Sequence, residues 1–145
     1  MGGATRGNEG EAMILAGLVR RGFNVSVPFG GGQPYDLIVD LGASAYLRVQ
    51  CKMGWETKGC ISFNSRTTDH GRGRQPYLGL ADIFGVYFPV GDSIYLVPVA
   101  IASGYGVRLR LSDPRNNQRK GIRFAADYAL DRWTHADLRG LVAGA

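Results

Sequence analysis

Residues 45–53 alternate without a break. Ala45, Leu47, Val49, Cys51 and Met53 fall on one side of an extended chain, and Tyr46, Arg48, Gln50 and Lys52 on the other. Successive side chains of a strand point to opposite faces, so the segment reads as a strand with an apolar face and a polar one. Gln50 and Lys52, two apart, then project side by side from a central strand. The strand expected before it, 35–41, starts with Tyr35 and Asp36. Pairing the two strands brings the Asp36 carboxylate near the same spot. The split of faces places Lys52 toward a cleft rather than the core.

The elements around this pair follow from periodicity and punctuation. A helix is expected from about Glu9, with Ile14, Leu15, Leu18 and Val19 as its apolar stripe and Gly22 as its stop. Residues 1–8 are Gly-rich and read as a flexible N-terminus, leaving 9–145 as one domain. Glu11 precedes Ile14 and Leu15 by three and four residues and shares their inward face. A charge there is costly without a partner, so Glu11 is expected to point into a polar site. Further strands are expected at 23–28, 60–64, 83–89, 93–99 and 106–111, with a hairpin turn at 42–44. A short helix is expected at 122–130. A terminal one at 134–141 would open on a capping box between Thr134 and Asp137. The sum is an α/β domain with a mixed central sheet flanked by helices.

Composition narrows the partner. The 145 residues are 45% hydrophobic, enough for one domain with a sizeable core. Seventeen Lys and Arg against twelve Asp and Glu give a net charge of +5, which suits an anionic partner such as nucleic acid. Cys51 and Cys60 are too few and too far from metal spacing for a disulfide framework or a zinc site. His70 and His135 are isolated. No run is long enough to span a bilayer and no leader precedes the fold, so a reducing cytoplasm is the expected compartment. Trp55 and Trp133 are expected to pack. Asp82 is expected to shape a turn or pair with a local arginine, and Asp40 lies too far along its strand to join Asp36.

Five segments, in order and compactly spaced over residues 10–130, carry a resemblance. They are Gly10-Glu11, Gly22-Phe23-Asn24-Val25, Pro34-Tyr35-Asp36-Leu37-Ile38-Val39-Asp40, Arg48-Val49-Gln50-Cys51-Lys52, and the run from Pro114 to Arg123. With these the chain resembles the PD-(D/E)xK nuclease superfamily, and within it the group I intron homing endonuclease-like branch. The resemblance implies a restriction-endonuclease-like core and a homodimer or homotetramer. Most of the superfamily has Asp or Glu where this chain has Gln50. The intron-type branch resembles this chain in carrying Gln there.

The expected chemistry is Mg²⁺-assisted hydrolysis of DNA phosphodiesters, with Mn²⁺ able to substitute. Asp36 would bind the ion directly, and the Gln50 side-chain oxygen and Cys51 backbone carbonyl would complete a hard oxygen set. Glu11 would act through a metal-bound water or hold a second ion. Lys52 would orient the attacking water or stabilise the charge developing on phosphorus. Gln50 adds no charge, so the site is one charge poorer than its relatives.

Positioning of DNA would fall to other residues. Arg66, Arg72, Arg74 and Tyr77 frame one basic loop, and Arg108 and Arg110 share a strand face. Arg115, Asn116, Asn117, Gln118, Arg119 and Lys120 offer groups able to reach phosphates or base edges. The expected activity is therefore that of an endodeoxyribonuclease. A junction resolvase or repair-type nuclease, or a non-catalytic DNA-binding protein, are the alternatives.

Overall fold

The computed structural model describes residues 3–66, 76–102, 107–112 and 121–142. Helix α1 spans Gly3–Arg20, starting earlier than the sequence suggested. Strands β1 (Asn24–Ser26), β2 (Leu37–Asp40), β3 (Tyr46–Met53), β6 (Ile83–Phe88) and β7 (Ser93–Pro98) form one sheet in the order β1-β2-β3-β6-β7. The β3–β6 pair is parallel and the other pairs antiparallel, so the sheet is mixed. Strands β4 (Trp55–Thr57), β5 (Cys60–Phe63) and β8 (Val107–Arg110) form a second, antiparallel sheet in the order β4-β5-β8. Among the described residues no helix is long and apolar enough to cross a membrane.

Two apolar layers hold these parts together. Ile14 and Leu18 of α1 meet Leu37, Val39, Leu47, Val49, Ile83, Tyr87 and Leu96 on one face of the main sheet. On its other face Phe84, Val86, Phe88 and Val97 meet Ile61 and Phe63 of β5 and Val107 and Leu109 of β8. Strand β6 lies between both layers and every one of its residues is buried. A strand covered on both faces reads as a continuous apolar run, which is what Ile83-Phe84-Gly85-Val86-Tyr87-Phe88 is.

Several local expectations hold. The 42–44 turn closes with Leu41 N–H donating to the Ala45 carbonyl at 2.9 Å. Helix α2 (His135–Arg139) opens on the Thr134–Asp137 capping box and sends Leu138 into the α1-side layer. Others do not. Val19 is 54% exposed and leaves the apolar stripe. The 122–130 segment is not an α-helix but two 3-10 turns, Ala125–Tyr128 and Leu130–Arg132. It is pinned by backbone pairing at two points, Arg110 with Phe124 and Tyr95 with Ala129, which leaves no room for continuous helical bonding. Strand β4 was not expected, and its Trp55 is 51% exposed rather than packed. A hairpin signal was present: Lys58 and Gly59, both left-handed (φ 51° and 76°), form the two-residue connection between Thr57 and Cys60.

Candidate active site

The site forms where β2 stops and β3 continues. Leu37 pairs with Val49, and one residue earlier Asp36 N–H donates to the Val49 carbonyl at 2.8 Å. Beyond that point no strand among the described residues covers the β2 edge of β3. The Asp36 carboxylate takes the place of the missing strand: its Oδ2 accepts the Cys51 N–H at 2.9 Å. N–H and C=O of one strand residue leave by the same edge, so the Cys51 carbonyl opens there too. The Gln50 side-chain Nε2 donates to that carbonyl at 3.4 Å.

Glu11 reaches the same edge from the opposite face. Gly10 is buried, and a Cβ there would lie 2.5 Å from Met53 Sδ, so glycine brings α1 down onto β3 beside the site. Burial, and after it the Asp36 charge, raise the Glu11 carboxyl above its ordinary value. Burial likewise raises Asp36, against the opposing effects of the Cys51 amide and the Lys52 charge. The Cys51 thiol is pushed up by burial, then by Asp36 and Glu11, and stays protonated on the α1 side of the strand. Asp36 is thus linked electrostatically to Glu11 and to Lys52, and both Asp36 and Gln50 bond the Cys51 backbone.

Lys52 does not face an open cleft. It lies half-buried between the two sheets, and burial lowers its ammonium to about 8 despite the Asp36 charge. Its Nζ donates to the Tyr77 hydroxyl and to the Arg66 carbonyl, each at 3.3 Å, and sits 4.7 Å from the Tyr77 ring centroid. Tyr77, expected to stack on or bond to DNA, is only 5% exposed and meets the edge of Phe84 at 5.3 Å. It belongs to the site's interior instead. Arg66 contributes its backbone, pairing with Pro76 across a bridge.

Arg48, one turn of the pleat before Gln50, is tied to Asp82 by a salt bridge at 2.9 Å, and its N–H donates to the same carboxylate at 2.7 Å. Asp82 therefore pairs with an arginine 34 residues away, not a local one. Arg108 and Arg110 lie on the outer face of the second sheet, since Val107 and Leu109 fill the inner one. With Arg123 they line a cavity of about 320 Å³ that also touches Cys60 and Ile122 and has no carboxylate among the described residues of its wall. Arg123 was missed as a site residue, because its meeting with β8 depends on the bridge at Phe124 and not on local spacing. Arg72, Arg74, Arg115, Asn116, Asn117, Gln118, Arg119 and Lys120 lie outside the described residues.

The donor set suits a hard divalent cation. Both carboxyls are raised by burial, Glu11 further by the Asp36 charge, and a cation beside them would relieve that cost, with an amide and a carbonyl oxygen at hand. Among the described residues no group of three or more His, Cys, Asp or Glu forms.

An acid at a strand end, a lysine two residues past the neighbouring strand's amide, and a mixed sheet backed by one helix define a restriction-endonuclease-like α/β fold. That fold is shared with a bacterial homing endonuclease, I-Ssp6803I: the superposition has a TM-score of 0.76 at 23% identity and covers 97% of this chain and 96% of that one. The PD-(D/E)XK endonuclease family model matches residues 1–131, and the chain belongs to this family of nucleases. No curated protein matches the chain.

Proposed function

We propose that the chain is a divalent-metal-dependent endodeoxyribonuclease of the homing-endonuclease-like kind. What supports this reading most is Asp36, which bonds the Cys51 amide at the β2 edge of β3 and is coupled electrostatically to Glu11 and to Lys52. Asp36, Glu11, the Cys51 carbonyl and the Gln50 amide, once turned to present its oxygen, would hold Mg²⁺ or Mn²⁺. Bound there, the ion supplies positive charge to the scissile phosphate. Lys52 directs an N–H at the attacking water or a phosphate oxygen, and partial burial strengthens that interaction. The Arg108–Arg110–Arg123 cavity supports a second contact to the DNA backbone, and the basic residues of the 66–74 and 115–120 segments would extend it. Cutting both strands with one site per chain calls for paired protomers, hence a homodimer or homotetramer.

The test is cleavage of supercoiled, linear and branched DNA with Mg²⁺, Mn²⁺ or excess chelator. Wild type should cut only with metal. Lys52→Ala should cut about 10²- to 10³-fold more slowly while retaining DNA affinity. Cleavage undiminished in chelator would sink the metal-dependent reading. A second reading, a DNA-binding protein that keeps the fold without cutting, is favoured by one observation: Gln50 is uncharged and its amide is engaged with the Cys51 carbonyl. DNA binding without cleavage in any metal would select it.

A further inference from the structure

An ammonium has three N–H donors at tetrahedral angles, and a lysine stem has four rotatable bonds along which to wander. Lys52 is denied that freedom. One N–H goes to the Tyr77 hydroxyl oxygen and one to the Arg66 carbonyl, both at 3.3 Å. Two fixed acceptors define the direction of the third donor, which has no partner among the described residues. The Tyr77 ring 4.7 Å from Nζ adds a third restraint.

Tyr77 is itself held. Its ring meets the edge of Phe84 at an interplanar angle of 90°, and Phe84 meets Phe63 of the second sheet at 5.2 Å. Phe84 is also the register partner of Gln50 on β3. The ring that carries the hydroxyl is therefore tied to both sheets through edge-to-face contacts of buried rings. No packing need explains a phenol here rather than a phenyl ring. A buried hydroxyl costs free energy unless it is bonded, and the bond it makes is to Lys52.

We propose that Tyr77 is a positioning residue for the nuclease reaction: with the Arg66 carbonyl it fixes the Lys52 ammonium so that one N–H points into the space beside Asp36. This rests on the nuclease reading above. The hydroxyl touches no reacting atom; it acts through Lys52.

Tyr77→Phe keeps the ring and its packing on Phe84 and deletes the oxygen. Two measurements test it. The first is kcat and KM for DNA cleavage, with Tm as a check on folding. A loss of about 10- to 100-fold in kcat, with KM and Tm unchanged, is expected, because misplacing a catalytic group acts on the chemical step. The second uses metal-free, DNA-free protein and an amine-acylating ester. Modification of Lys52 is quantified by mass spectrometry against Lys58, which is exposed in the β4–β5 turn. Release of the ammonium should raise Lys52 labelling by roughly threefold or more relative to Lys58. Unchanged labelling overturns the proposal, even if kcat falls, because Tyr77 would then act directly and not through Lys52. Increased labelling in a chain that cuts no DNA leaves the restraint standing and sinks the nuclease reading alone.

Discussion

Strand β3 presents one sequence to two different environments. Toward α1 it shows Leu47 and Val49, fully buried, then Cys51 and Met53, all packed among Met13, Ile14 and Leu18. Toward the second sheet it shows Arg48, Gln50 and Lys52, each spoken for by a polar partner: Asp82, the Cys51 carbonyl, and the Tyr77–Arg66 pair. The first face is closed by shape. The second is closed by hydrogen bonds, because burying these groups without partners would cost more than the fold could bear. The contrast teaches where the chemistry is built. It sits at the end of the polar face, where β2 no longer covers the strand edge and Asp36 stands in for it. The α1 face supplies rigidity and a single emissary, Glu11.

If the α1 face is closed by shape, filling a tight point between branched side chains on it should cost stability and nothing else. Gly85 lies on that face, and a Cβ there would come within 2.9 Å of Ile14 Cγ2 and 3.3 Å of Val49 Cγ1. Both neighbours are buried branched side chains with nowhere to swing. Gly85→Ala gains roughly 0.5–1 kcal/mol from a stiffer unfolded chain. Overpacking a tight core typically costs about 1–3 kcal/mol, so the net effect should be a loss. Urea unfolding should show a lower midpoint. Cleavage per folded molecule should stay at the wild-type level. A variant that keeps its midpoint but loses cleavage would break the comparison, since it would show that the two faces of β3 are not independent.

The same contrast explains what the sequence could disclose. Alternation along β3 is a local property, so the placement of Gln50, Lys52 and the buried set was legible, as were the Gly22 stop and the Thr134–Asp137 cap. Asp36 could be placed near them because adjacent antiparallel strands joined by a short turn leave few registers. The partners on the polar face were not legible. Tyr77 is 25 residues from Lys52, and Asp82 is 34 from Arg48. No periodicity links such positions; only the parallel β3–β6 crossover brings them together. Tyr77 was therefore assigned to the DNA surface on composition alone. The 122–130 segment misled for a related reason: its apolar spacing fits a helix, but backbone pairing with β7 and β8 outbids helical bonding.

The polar face can be sharpened by its pH dependence. Lys52 titrates near 8 in the folded chain, below the ordinary lysine value of 10.5, chiefly because it is buried. Between those values the unfolded chain holds a proton that the folded chain has released. Stability therefore rises with pH across that window, and the penalty is present in full below about 8. Lys52→Met removes the titration and leaves two unpaired acceptors, a loss that does not depend on pH. The stability of Lys52→Met relative to wild type should therefore be constant below pH 8 and fall steadily from there toward pH 10.5. Denaturant titrations in chelator at several pH values read this directly. A difference that stays flat across the window would mean that Lys52 is solvated and that the polar face is open.

The smallest effect tests whether that face is dry. Ser65, next to Arg66, is 3% exposed, and its hydroxyl is buried with no partner among the described residues. An unbonded buried hydroxyl costs about 1–3 kcal/mol, whereas a methyl group in its place costs nothing for desolvation. Ser65→Ala removes only the oxygen, so it should stabilise by up to about 1 kcal/mol, a rise in Tm of about 2–4 °C for a chain near this size. The Arg66 carbonyl belongs to the backbone and keeps its hold on Lys52, so cleavage should not change. The opposite result would be equally informative. A fall in Tm would mean that an ordered water bonds the Ser65 hydroxyl inside the protein. The polar face would then be closed partly by solvent, and water would have a route toward the Lys52 ammonium.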